Sequence, residues 1–172
     1  MIPAGMLPDG VKWCVAGGWA TCPALATDQD IWVFAKGLGS LAEVREMLLD
    51  HLRKYFGMDF DEEVVVLEDR RVVEGVDASE GYETLPTTTV KVASFYKAGA
   101  ERHLLVTDAK DAHALVNSFD ISTHMVAIMP NGQVVTGDEW TTVNEKPVMV
   151  RDTPTTAARL EKITARYAHQ EA

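Results

Sequence analysis

The stretch Lys12 to Ala35, KWCVAGGWATCPALATDQDIWVFA, decides the fold. Its opening KWCVA is a short apolar run that stops at Gly17-Gly18, which reads as a strand entering a tight turn. Pro23 keeps the connection short. Asp30 to Ala35, DIWVFA, is rich in aromatic and branched residues and reads as a buried strand that ends at Lys36-Gly37-Leu38-Gly39. Alternate side chains of an extended chain share a face, about 6.6 Å apart along the backbone, so Asp28 and Asp30 converge at the start of that strand. Hard divalent cations take oxygen ligands, and a two-metal phosphoryl-transfer site needs carboxylates bridging ions roughly 3.5 to 4 Å apart. Asp-x-Asp spacing alone is cheap in an acidic chain: Asp59-Phe60-Asp61 and Asp61-Glu62-Glu63 also match it. Only the pair Asp28 and Asp30 follows a Gly-Gly turn and opens an apolar strand. Glycines at such a turn let backbone N–H groups approach phosphate oxygens, across a cleft from the carboxylates.

Working outward, Ser40 and Glu43 have capping-box spacing, and Leu41, Val44, Met47, Leu48, Leu52 and Tyr55 recur at helical period. The pattern predicts an amphipathic helix from Ser40 to Phe56, ended by Gly57. Val64 to Leu67 and Arg71 to Glu74 read as short strands, and Leu85-Pro86 closes a polar loop. Val90 to Tyr96 and Arg102 to Thr107 flank Lys97-Ala98-Gly99-Ala100 as a hairpin. Asp108 is placed to cap a helix from Ala109 to Val116. Thr123 to Met129 reads as a strand that turns at Pro130-Asn131-Gly132 into Gln133 to Thr136. Thr153-Pro154 starts a last helix that runs to Tyr167. This order implies an α+β domain with a mixed β-sheet flanked by helices, spanning residues 1–172 as one unit.

Composition bounds the partners. A 47% hydrophobic share over 172 residues supplies a sizeable core. Sixteen Lys and Arg against 26 Asp and Glu give a net charge of -10, which disfavours a long duplex nucleic acid as partner. The start MIPAGMLPDG lacks the basic and apolar regions of a secretory signal, and no run of about 18 apolar residues occurs, so no membrane partner is expected and a soluble cytoplasmic protein is. Cys14 and Cys22 read as reduced core thiols. His51, His103, His113, His124 and His169 show no HxH or HxxxH spacing and read as surface or packing residues. Trp19 and Trp32 read as core before nucleotide-stacking groups. Lys36, Lys91 and Lys97 read as solvated, with phosphate contact as the sharper alternative.

The run VAGGWATCPALATDQDIWVF resembles the signature of the polymerase-beta-like nucleotidyltransferase superfamily, an apolar-Gly-Gly turn followed by Asp-x-Asp on a strand. Ser118-Phe119-Asp120-Ile121-Ser122-Thr123 resembles the Arg-Arg-Asp-Phe-Thr segment of the poly(A)-polymerase and CCA-adding branch, with Ser118-Phe119 in place of the arginines. The layout is similar to small phage-encoded nucleotidyltransferases, a minimal catalytic core. The resemblance covers about Lys12 to Ala35 and Leu104 to Tyr167. It implies a nucleotidyltransferase-type sheet and two Mg2+ ions held by Asp28, Asp30 and Asp120 as catalytic and metal-binding residues. It also implies a nucleoside triphosphate at Gly17, Gly18 and Trp19. The expected reaction transfers an NMP to an acceptor hydroxyl, on an RNA end, a protein or a small molecule, and releases pyrophosphate. The alternatives are a catalytically degenerate nucleotide-binding or protein-interaction module on the same fold, and another metal-dependent phosphate enzyme.

Overall fold

The computed structural model describes residues 2–24, 26, 28–57, 66–70, 89–97, 100–153 and 156–168. Its strands are β1 (Trp13–Ala16), β2 (Asp28–Phe34), β3 (Val66–Arg70), β4 (Thr89–Lys97), β5 (Ala100–Thr107), β6 (Val126–Ile128) and β7 (Val134–Thr136). Its helices are α1 (Gly18–Thr21), α2 (Leu41–Phe56), α3 (Ala112–Asn117) and α4 (Thr156–Tyr167). The strands form one mixed sheet in the order β3-β4-β5-β2-β1-β6-β7. Only β2 and β5 pair in parallel among these neighbours, in the register Asp28 to Glu101, Asp30 to His103 and Trp32 to Leu105.

Alternation along the strands splits the apolar residues between two layers. Val15, Ile31, Val33, Leu104 and Val106 face α2, which buries Val44, Leu48 and Leu52 against them. Cys14, Trp32, Phe34 and Leu105 face the other way, onto Leu115 and Val116 of α3. Phe119 joins that second layer, its ring centroid 5.6 Å from that of Trp32. α2 begins where its capping box places it: the Glu43 amide donates to Ser40 Oγ, and the Ser40 amide donates to Glu43 Oε1, each over 3.1 Å.

Several boundaries differ from the sequence expectation. The strand expected from Asp30 begins at Asp28, so both aspartates lie inside it. The Gly-Gly turn continues into the single-turn helix α1. α3 starts at Ala112 and is capped by Asp111, whose Oδ1 accepts the Ala114 amide at 2.8 Å; Asp108 is not its cap, because the Ala109 amide donates to Thr107 Oγ1. The strand expected over Thr123 to Met129 is a 3-10 turn at Ser122–His124 followed by the shorter β6. The polar groups of Ser122 explain this: its carbonyl accepts the Thr141 amide, its amide donates to the Val148 carbonyl, and its hydroxyl accepts the Val148 amide. A neighbouring loop therefore takes the bonds a longer strand would have made. Of the strands expected over Val64 to Leu67 and Arg71 to Glu74, the first is present in part as β3. The second, with the Leu85-Pro86 loop and the Asp59 to Glu63 carboxylates, lies outside the described residues.

Cys14 and Cys22 are free, and burial pushes the Cys14 thiol up to about 12, as expected of a protonated core thiol. Among the described residues no helix is long and apolar enough to cross a membrane. The cap assignment is testable: Asp111→Ala should cost about 1 kcal/mol in urea unfolding, and a larger loss from Asp108→Ala than from Asp111→Ala would refute it.

Candidate functional site

The parallel pairing of β2 with β5 sets the polar starts of the two strands side by side. Asp28 and Asp30 on β2 share a face with Glu101 and His103 on β5, because directly paired residues point the same way. One ligand atom from each of Asp28, Asp30 and His103 lies within 4.8 Å of the others, and all three residues are half-buried. His103 Nε2 is 3.2 Å from Asp28 Oδ2 and 3.7 Å from Glu101 Oε1. On the other side of the ring, His103 Nδ1 is 3.1 Å from Ser94 Oγ on β4. A serine on one ring nitrogen orients the other toward the carboxylates, as partners of metal-binding histidines do.

The charges in this group are mutually adjusted. The hydrogen bond with His103 holds the Asp28 carboxyl below its usual range despite partial burial, with His103, Arg166 and Lys91 adding positive charge. For His103, burial works toward a lower pKa. The hydrogen bond with Asp28 and the charge of Asp30 outweigh it, against opposition from Lys91, so the ring titrates above its ordinary value. Lys91 is itself fully buried on β4.

The Gly17-Gly18 turn closes one side of the group. Gly17 has φ of 96°, a conformation that favours glycine, and a Cβ there would sit 3.8 Å from Asp30 Oδ2. Its amide donates to the Val126 carbonyl, and the Thr21 hydroxyl bridges the Gly17 and Thr123 carbonyls at 2.9 and 2.6 Å. A Cβ on Gly18 would meet His124 Cε1 at 3.6 Å and Arg166 Nη1 at 4.0 Å. Arg166 of α4 thus lies over the turn. Trp19 is turned from the group and packs against the α2 side of the core.

Asp120 is engaged elsewhere. It is buried and does not belong to the Asp28, Asp30 and His103 group; Arg159 Nη1 donates to both its oxygens, at 2.7 and 2.6 Å, and the Thr156 hydroxyl donates to Oδ2 at 2.7 Å. The expectation had Asp120 opening a strand aimed at the aspartates, whereas the 3-10 turn that follows it brings α4 across its carboxylate. The pair anchors α4, and Arg166 lies two turns further along the same face, over Gly18. His103 was read as a surface or packing residue. A signal for it exists in Glu101-Arg102-His103, which repeats the alternation of Asp28-Gln29-Asp30 at the start of another apolar strand.

The donor set of two carboxylates and one oriented imidazole fits a divalent ion. The chain matches no protein-family model and no curated protein sequence.

Below the turn, burial and the neighbouring charges of Arg159 and Arg166 push His124 down to about 3, so its ring is neutral, with Nε2 3.4 Å from the Tyr167 hydroxyl. The unfolded chain takes up this proton near pH 6.5 and the folded one only near 3. The stability His124 contributes is therefore complete above pH 6.5 and is lost as pH falls through that window, by up to about 1.4 kcal/mol per pH unit. Urea midpoints of His124→Gln should depend less on pH between 6.5 and 4.5 than those of the wild type. Parallel curves would show that His124 does not titrate this way.

Proposed function

We propose that the chain is a divalent-metal-dependent nucleotidyltransferase, moving an NMP from a nucleoside triphosphate to an acceptor hydroxyl on an RNA end, a protein or a small molecule. The observation that carries this reading is the Gly17 turn set against Asp30, with Asp28 and His103 within ligand distance of it. Asp28, Asp30 and His103 would hold the metal, and Asp120 would act on the site through α4. Bound there, a divalent ion neutralises phosphate oxygens and lowers the pKa of an acceptor hydroxyl. With the Gly17 amide held by Val126, the side-chain-free Gly18 would be the part of the turn that meets phosphate, and Arg166 beside it would meet the charge that the carboxylates repel. The hydroxyl would give up its proton to water as its oxygen bonds to the α-phosphorus in line, the bond to the bridging oxygen breaks, and pyrophosphate leaves.

His103 distinguishes this site from an all-carboxylate one. Mg2+ takes oxygen ligands, whereas an imidazole nitrogen suits first-row transition ions, so Mn2+ should support transfer better than Mg2+. The same residue favours the second reading, a nucleotide-binding module without turnover, since the ion pair between His103 and Asp28 offsets part of the carboxylate charge without a metal.

Labelled nucleoside triphosphates with cell extract and either ion separate the two readings. Transfer of label onto an acceptor, reduced more than about a hundredfold in Asp28→Ala and Asp30→Ala, is the expected result, because even outer-shell partners of a metal are worth 10–100-fold. Nucleotide binding without any transfer would establish the module instead. His103→Asp should shift the preference from Mn2+ toward Mg2+, and an unchanged preference would remove His103 from the ligand set.

The place of Asp120 gives a separate kinetic test. Asp120→Asn should loosen the Arg159 anchor, and so raise KM for the triphosphate roughly tenfold with a smaller change in kcat. A fall in kcat at constant KM would return Asp120 to the metal.

A further inference from the structure

At the far end of β2 lies a cavity of about 560 Å³ open on one side to solvent, within the range of small-molecule sites. Asp28 and Phe34 stand at opposite ends of that strand, six residue steps or about 20 Å apart, so the cavity is separate from the aspartate site. Four segments build it. Lys12 and Trp13 come from the start of β1, Phe34 and Lys36 from the end of β2, Lys110 from the approach to α3, and Met129 from the turn after β6.

Two features define what would fit. The walls include the Phe34 ring and the Met129 thioether, which favour a flat apolar body, while the Trp13 ring packs on the α2 layer across the sheet. The lining carries three lysines against one acid, Asp111, in a chain whose net charge is -10. Asp111 also has Oδ1 committed to the Ala114 amide as the cap of α3. All three lysines are exposed, on separate segments around an apolar floor that includes the buried Phe34. Positive charge gathered here against the balance of the chain is complementary to an anion.

We infer that this cavity binds a small organic anion with an aromatic body, the ring held by Phe34 and Met129 and the anionic group by Lys12, Lys36 and Lys110. Carboxylates, phosphates and sulfonates share the required chemistry. The volume suits one such molecule rather than a peptide or a nucleic-acid strand.

The test uses 8-anilinonaphthalene-1-sulfonate and its neutral counterpart N-phenyl-1-naphthylamine, titrated by fluorescence into the full chain. The sulfonate should bind saturably with one molecule per chain, and the neutral compound about tenfold more weakly or worse. The double variant Lys36→Gln with Lys110→Gln should lose about tenfold in sulfonate affinity and leave the neutral compound unaffected. Both substitutions are exposed, and near-ultraviolet circular dichroism checks that the variant is folded. Absent saturable binding, equal affinity for the two compounds, or an unchanged Kd in the folded double variant would each overturn the assignment.

Discussion

The parallel pairing of β2 with β5 is the constraint on which the candidate site depends. Parallel neighbours begin at the same end of a sheet, so the polar starts Asp28-Gln29-Asp30 and Glu101-Arg102-His103 lie together, and their apolar continuations form the core together. A slip of one residue would exchange the faces of β5. Arg102 would then point at the aspartates, and Glu101 and His103 into the layer beneath α2. The observed register also serves the opposite face, where Arg102 donates a hydrogen bond to Gln29. Two polar clusters back to back, one on each side of the same strand pair, penalise any other alignment.

Holding carboxylates close costs free energy unless cations or hydrogen bonds offset their repulsion. Here the offset comes from three other elements: His103 on β5, the buried Lys91 on β4, and Arg166 on α4. Each reaches Asp28 from a different direction, and each depends on the packing of its own element. The apolar layers therefore shape the site indirectly. α2 and α3 clamp the sheet from its two sides, and the clamped sheet sets the distances between charged groups.

What was legible in the sequence was local. α2 could be read from its period and its capping box, and the aspartate pair from its spacing and the glycines before it, because each signal lies within a few residues. His103 could not be placed that way. Its partner Asp30 becomes a neighbour only through a crossover connection, and no local pattern states a parallel register. The partners of Asp120 were not legible for a related reason. The residues after it looked like a strand, but the backbone bonds of Ser122 go to Thr141 and Val148 in the neighbouring loop, and the partners of the Asp120 carboxylate stand 36 and 39 residues further on. The α3 cap was missed by three residues because Asp108 and Asp111 are chemically alike, and only the path of the backbone after Thr107 chooses between them.

The attachment of α4 has a consequence for how the site is assembled. Its buried apolar residues Ile163 and Tyr167 meet a small cluster around Ile121, far smaller than either main layer, and further hold comes from the Asp120 contacts and from Tyr167 against His124. A helix fastened mainly by one charge pair and a few side chains detaches at lower free energy than the central strands. Any anion that engages Arg166 binds the docked state and not the detached one, so its binding energy adds to the docking equilibrium. Such an anion and the docked helix would then stabilise each other.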